Sequence, residues 1–228
     1  MRRAGATGQT RSPTIMAIEQ PGFSLETKLQ PTQARSQDTY EIVLATAGEM
    51  LGGIGFEQLT TNGICRRAGL TPPALYRYFP NKYAILKALG DRLMAEQDRI
   101  VLDWLDNGGL AVAPLDVRVA KSAALQRQVV AATRSFPGGA AIGRALRAVP
   151  MLQRLRFESR DMVADRFYEV IRPQYPNTAE ARLRVAMRMM VELSYAAGEM
   201  AVEEPDRDAD RLSEEVCLMF ALYFESFT

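Results

Sequence analysis

The stretch TTNGICRRAGLTPPALYRYFPNK, Thr60 to Lys82, decides the fold. Ile64 and Ala68 stand four residues apart, as do Leu75 and Phe79, so each run offers one apolar helical face. Gly69 falls between the runs, where a helix must end and the backbone tolerates a positive φ. Thr71 is placed to cap the second helix. Pro72 takes its first position, where a missing N–H costs nothing. Two short helices joined by a tight turn make a helix-turn-helix, and Asn81 is placed to cap a third helix that follows.

Upstream, Tyr40, Val43, Leu44, Ala47 and Leu51 recur at helical spacing, which predicts a helix over Pro31 to Leu51 that Gly52 and Gly53 stop. Phe56 and Leu59 then plug a small three-helix core, giving an N-terminal domain over residues 34–80. Residues 1–33 mix Arg, Gly, Ser, Thr, Pro and Gln without periodicity and read as a flexible tail. Arg2, Arg3 and Arg11 in it are a solvated extension on one reading and a basic arm for the minor groove on the other.

Downstream, residues 81–228 read as an all-helical second domain. Ile85, Leu86, Leu89 and Leu93 line the buried side of the helix that leaves the first domain. Asn107-Gly108-Gly109 breaks it, and Phe136-Pro137-Gly138-Gly139 ends the next helix, Asp116 to Arg134. A short helix over Ala140 to Ala148 and a longer one over Met151 to Ile171 follow. The last two, Ala179 to Ala201 and Asp208 to Phe227, are apolar on more than one face, which predicts that they serve both the core and a homodimer interface. The fold class expected is all-α.

Composition narrows the function. Hydrophobic residues make up 47% and charged ones 24%, the balance of a globular chain. No run of eighteen apolar residues occurs and no apolar stretch follows the N-terminal arginines, so neither a membrane span nor a secretory signal is expected, and a cytoplasmic address follows. The chain has no histidine and two distant cysteines, which argues against a metal site and removes the commonest general base; no cofactor is expected. Net charge is +1, but residues 1–90 carry ten Lys or Arg against six Asp or Glu. Affinity for a polyanion would therefore come from a few placed contacts rather than from a general basic field.

In a helix-turn-helix the leading end of the second helix enters the DNA major groove while the first lies across the backbone. Thr60 and Thr61 put hydroxyls and N–H groups at a helix N-terminus, a seat for phosphate, and Tyr76, Arg77, Tyr78 and Lys82 add donors along one side. Thr71, Pro72, Pro73 and Ala74 would face base edges, mainly with apolar contact to thymine methyls, leaving Asn62 and Arg77 as candidates for polar base contacts.

The run GFEQLTTNGICRRAGLTPPALYRYFPNKYAILKAL resembles the DNA-binding domain of the TetR family of transcriptional regulators. The likeness covers about Asp38 to Leu89: the Gly-Phe turn, the Thr-Thr start, the Ala-Gly-Leu-Thr turn, the Leu-Tyr-x-Tyr-Phe helix and the Asn-Lys opening. It implies an all-α homodimer whose remaining helices bind a small molecule. By position, Thr61, Tyr76 and Lys82 match residues that usually hold phosphates, and Asn62 and Thr71 to Ala74 match those that usually face bases. Gly63 and Cys65 depart from the pattern, which usually has a charged residue and an alanine there. The cysteine reads as a core filler rather than a redox-sensing thiol.

An effector cavity is expected between the central helices, lined from Trp104, Met151, Phe157, Met162, Phe167, Met190 and Tyr195, and its apolar lining favours a hydrophobic or amphipathic molecule. Plain core is the competing reading of these side chains. The expected function is a ligand-responsive regulator, a repressor that binds a near-palindromic duplex as a homodimer. The alternatives are an all-α carrier or enzyme with an incidental helix-turn-helix, and an architectural DNA-binding protein without effector. No catalytic motif favours the enzyme.

Overall fold

Gly55, not the Gly52-Gly53 pair, breaks the first helix. In the computed structural model, which describes residues 24–28 and 34–227, α1 runs Ala34–Gln58 and departs from helical geometry at Gly55, with φ 74° and ψ 171°. Gly52, which faces Gly138, and Gly53, which faces open space, both lie within it, so the expectation that they end the helix is corrected. Each costs about 1 kcal/mol against alanine, less than the burial of Leu44, Leu51 and Phe56 along the same helix returns. The N-terminal arginines lie outside the described residues.

The remaining helices among the described residues are α2 (Thr61–Ala68), α3 (Pro72–Tyr76), α4 (Lys82–Asp106), α5 (Leu115–Ser135), α6 (Gly139–Ala148), α7 (Gln153–Ile171), α8 (Glu180–Glu203) and α9 (Ala209–Glu225), with two short 3-10 turns flanking α7. The fold is all-α. Helix ends follow local chemistry. The Thr60 hydroxyl accepts from Gly63 N–H at 3.0 Å, and Asn81 Oδ1 accepts from Ala84 N–H at 2.9 Å. Gly69 closes α2 in the left-handed region, φ 67°, and Leu70 N–H returns to the Cys65 carbonyl at 2.9 Å.

Thr71 stands at the N-cap of α3, yet its hydroxyl makes no capping bond. Pro73 has no N–H to give, and the Ala74 N–H is taken by Thr71's own carbonyl at 3.0 Å. Asn107 and Gly108 end α4, and Trp104 lies so close over Gly109 that a Cβ there would meet its ring at 2.1 Å.

Two large apolar cores result among the described residues, with a small third of Ala123, Ala197, Val216 and Cys217 between α5, α8 and α9. The first joins α1 to α4 with α6: Leu44, Leu51, Ile64, Phe79, Ile142 and Leu146 are all buried in it. The second lies among α4, α7, α8 and α9 around Leu105, Phe167, Leu183, Met187, Val191 and Phe224. Both cysteines are buried and free, and burial pushes their thiols up, Cys217 to about 12. Neither is a reactive thiolate, which fits the core-filler reading of Cys65. No helix among the described residues is long and apolar enough to cross a membrane.

Candidate nucleic-acid interface and central cavity

The leading end of α3 is open. Thr71, Pro72 and Pro73 are exposed and Ala74 is half-buried, while Leu75 and Phe79 anchor the same segment in the core. Beside that end, Thr61 Oγ1 and Tyr76 Oη are hydrogen-bonded at 2.8 Å, which ties the N-terminus of α2 to α3. Asn62 and Arg77 are exposed next to them. The Thr61–Tyr76 bond is the contact that brings predicted residues of the two helices together; Thr60, Asn62, Thr71 to Pro73 and Arg77 are exposed.

Tyr78 is not among them. Its side chain is 3% exposed and meets the Tyr40 ring edge-on at 6.1 Å, so the expected surface donor is a core residue. Position in the turn explains this: Tyr78 follows Leu75 by three and precedes Phe79, the two residues that fix which side of the segment is inward. Lys82 is also engaged. Its ammonium donates to the Phe56 and Glu57 carbonyls at 3.1 and 3.4 Å and stands 4.5 Å over the Phe56 ring, closing the frayed end of α1. The described N-terminal piece adds a brace that sequence reasoning missed. Asn81 Nδ2 donates to the Ser24 carbonyl at 2.9 Å and Lys28 N–H to the Tyr78 carbonyl at 2.9 Å.

Gly63 has a local reason. A Cβ there would stand 3.0 Å from Thr60 Oγ1 and 3.3 Å from Met50 Cε, so the small residue leaves room for the capping hydroxyl.

A cavity of about 110 Å³ opens between α4, α5, α6, α7 and α8, and a second of about 100 Å³ lies beyond it toward α9. Phe167 and Met190 border both, Tyr195 the first and Trp104 the second. Met151, Phe157 and Met162 border neither, which corrects the expectation. Met151 packs on the first core, and Phe157 and Met162 are 46% and 41% exposed, because Val163, Phe167 and Ile171 take the inward face of α7. Missed in their place were the polar groups Gln97, Arg160 and Glu199, which join Arg147 and Arg156 in the wall. The Tyr195 hydroxyl, in reach of Ser159 at 3.4 Å, is pushed up to about 12 by burial and by the charge of Asp98. Asp98 in turn accepts from Ser159 Oγ at 2.8 Å, and its burial raises its carboxyl above the usual range.

Architecture and open face together define an all-α protein led by a helix-turn-helix. Residues 43–89 match the family model for bacterial regulatory proteins of the tetR family. The chain is 44% identical over 54 residues to the tetracycline repressor protein class C of Escherichia coli, covering 24% of this chain and 25% of that protein. It is 39% identical over 70 residues to the class A protein from transposon 1721, covering 31% and 28%. The match thus spans about a quarter of the length of these curated relatives.

Across the longer chain, a transcriptional regulator structure from Pseudomonas aeruginosa PAO1 superposes with a TM-score of 0.65 at 12% identity, covering 86% of this chain and 93% of that one. A TetR-family structure from Mesorhizobium loti does so at 0.63 and 14%, covering 85% and 98%. Likeness at that identity speaks to the fold. Over residues 43–89, the N-terminal domain is that of the tetR family of bacterial regulatory proteins.

Proposed function

We propose that this chain is a ligand-responsive transcriptional repressor that binds a near-palindromic duplex as a homodimer and leaves it when a small effector fills the central cavity. The observation that carries the reading is the free leading end of α3, flanked by the paired Thr61 and Tyr76 hydroxyls. An end of that kind is what the major groove admits, with the flanking hydroxyls positioned for phosphate oxygens.

Dimerisation is supported by apolar residues left outside both cores. On α8, Val185, Met189 and Leu193 recur every four residues and are 60%, 54% and 40% exposed; on α9, Met219, Leu222 and Tyr223 are 58%, 51% and 44% exposed. The two helices pack on each other, and a two-fold axis that pairs these exposed stripes would make a four-helix contact.

Coupling is supported by shared walls. Leu93 and Gln97 of α4 and Gly143 and Leu146 of α6 border the cavity, while the same two helices belong to the core of the DNA-binding domain. An effector that prefers the non-binding arrangement by about 1 to 3 kcal/mol shifts DNA affinity by the corresponding factor.

Selection of bound duplexes from a random pool, followed by gel shift with candidate ligands, tests the reading. The expected result is a two-fold-related site and ligand-sensitive binding. Binding to no duplex points to a carrier or enzyme, and binding that no ligand alters points to an architectural role.

A further inference from the structure

We propose that the cavity takes an amphipathic carboxylate, with one anionic head at Arg156 and Arg160 and an unbranched apolar tail passing Phe167 and Met190 toward Trp104. The proposal deepens the effector reading above by giving the ligand a chemical class.

The head is argued from unequal pairing at one end of the cavity. Glu199 serves three guanidinium groups at once: Arg147 at 3.0 Å, Arg156 at 3.3 Å and Arg160 at 3.3 Å. Arg147 has a second carboxylate in Glu203, and Arg160 has one in Glu192. Arg156, whose side chain is 14% exposed, has only its share of Glu199. Burial and the neighbouring Arg160 charge both lower its pKa, which marks a cation short of counter-charge.

The Nε of Arg160, a residue 6% exposed, has no hydrogen-bond partner among the described residues and is a donor that an anion can use. The wall holds Arg147, Arg156 and Arg160 with Glu199 and Glu203. Behind it Arg160 and Arg188 share Glu192, and Arg188 also reaches Asp161 at 3.4 Å, so the ion pairs balance as a set and the anion is drawn by the unused donors of Arg156 and Arg160 rather than by net charge. Asp98 accepts from Ser159 Oγ at 2.8 Å and makes no ion pair with Arg156 or Arg160 among the described residues.

The tail is argued from continuity. Leu125, Phe167 and Met190 line both cavities together with Gln126 and Ser194, whose side-chain amide and main-chain carbonyl, respectively, are bonded to each other at 2.7 Å, and beyond them the lining includes Trp104, Ile171, Phe220 and Phe224. Arg118, the one Arg or Lys in the far chamber's lining, pairs with Glu225, although its Nε has no hydrogen-bond partner among the described residues. A wall of three arginines and a mainly apolar end with a single arginine therefore lie along α7, separated by about 22 Å from Arg156 to Ile171 at the rise of an α-helix.

Trp104 is the single tryptophan, so its emission reports arrival of the tail. Dodecanoate, dodecanol, dodecyltrimethylammonium and octanoate are titrated into the full-length protein by calorimetry, with Trp104 emission followed in parallel. Dodecanoate is expected to bind at least tenfold tighter than the alcohol or the ammonium and to shift Trp104 emission, while octanoate binds without shifting it. Arg156→Gln is expected to weaken dodecanoate at least tenfold and leave dodecanol unchanged.

Equal or better binding of the alcohol or the ammonium overturns the proposal, as does an unmoved Trp104 with dodecanoate bound. The comparison of head groups on the unaltered protein decides even where Arg156→Gln does not fold. Binding of dodecanoate without release of DNA would sink the effector role and leave the ligand class standing; DNA binding with no affinity for any carboxylate does the reverse.

Discussion

Gly48 of α1 and Gly138 before α6 meet backbone to backbone. A Cβ on Gly138 would stand 2.2 Å from the Gly48 carbonyl oxygen, and one on Gly48 would stand 2.8 Å from the Pro137 carbonyl oxygen. Gly138 also adopts φ 72°, which costs an L-residue about 1 to 2 kcal/mol before any clash. Gly138→Ala is therefore expected to lower the melting temperature. Gly48→Ala, which should gain about 1 kcal/mol of helix propensity, is expected to lose stability as well, because it pushes the α6 turn away. Thermal unfolding of both variants checks this; a stabilised Gly48→Ala would show that the contact yields easily.

Gly69→Ala offers a cleaner case. Nothing stands within 4 Å of a Cβ there, so only φ 67° is at stake, and the expected loss is about 1 to 2 kcal/mol by denaturant unfolding. Gly63→Ala, with ordinary helical geometry but the Thr60 hydroxyl at 3.0 Å, is expected to change stability much less.

Asp98 supplies a pH test. Burial raises its folded-state pKa, so the folded protein holds that proton more tightly than the unfolded chain does. Stability from this group is present below the ordinary carboxylate value and is lost as pH rises through the folded-state value. Asp98→Asn is expected to stabilise the protein at neutral pH, with the gain shrinking at and below about pH 4. Denaturant midpoints at both ends of that range check it. Removing the Asp98 charge is also expected to lower the Tyr195 pKa from about 12, visible as an earlier alkaline absorbance change.

Tyr76 and Lys82 separate contact from scaffold. Tyr76→Phe removes only the hydroxyl paired with Thr61, so DNA affinity should fall several-fold for all sequences with little change in melting temperature. Lys82→Ala removes an ammonium that also closes α1, so melting temperature and affinity should fall together. If Lys82 reaches phosphate in the complex, the salt dependence of log affinity should drop by about 0.9. An unchanged slope would restrict Lys82 to its role in the fold.

Met189→Glu places a charge in the middle of the exposed stripe on α8. Sedimentation should show a monomer whose helical content is unaltered, since Met189 belongs to neither core. A variant that stays dimeric moves the interface elsewhere.

Residues 60–89 were legible because most local signals agreed: Asn81 caps as read, Gly69 turns as read, and Ile64, Leu75 and Phe79 are fully buried, while Thr71 makes no capping bond and Tyr78 turns inward. Gly52 and Gly53 misled because breaker residues report cost, and tertiary packing of α1 outweighs it. The cavity lining was harder. Apolar residues surround much of α7, so periodicity did not say whether Phe157 and Met162 or Val163 and Phe167 turn inward. The usable signal was the reverse of the one followed. Arg156, Ser159 and Arg160 on α7 stand against Glu192 and Glu199 on α8, charges at helical spacing between apolar neighbours, and charges so placed mark an interior that must be polar.

The Thr61 and Tyr76 hydroxyls carry two protons between them, and their mutual bond uses one. Whichever oxygen donates inward, its neighbour keeps a proton pointing away, strengthened as a donor by the lone pair it has already lent. An acceptor arriving on that face finds a polarised O–H in place, so docking there need not first break the tie that sets the angle between the two helices.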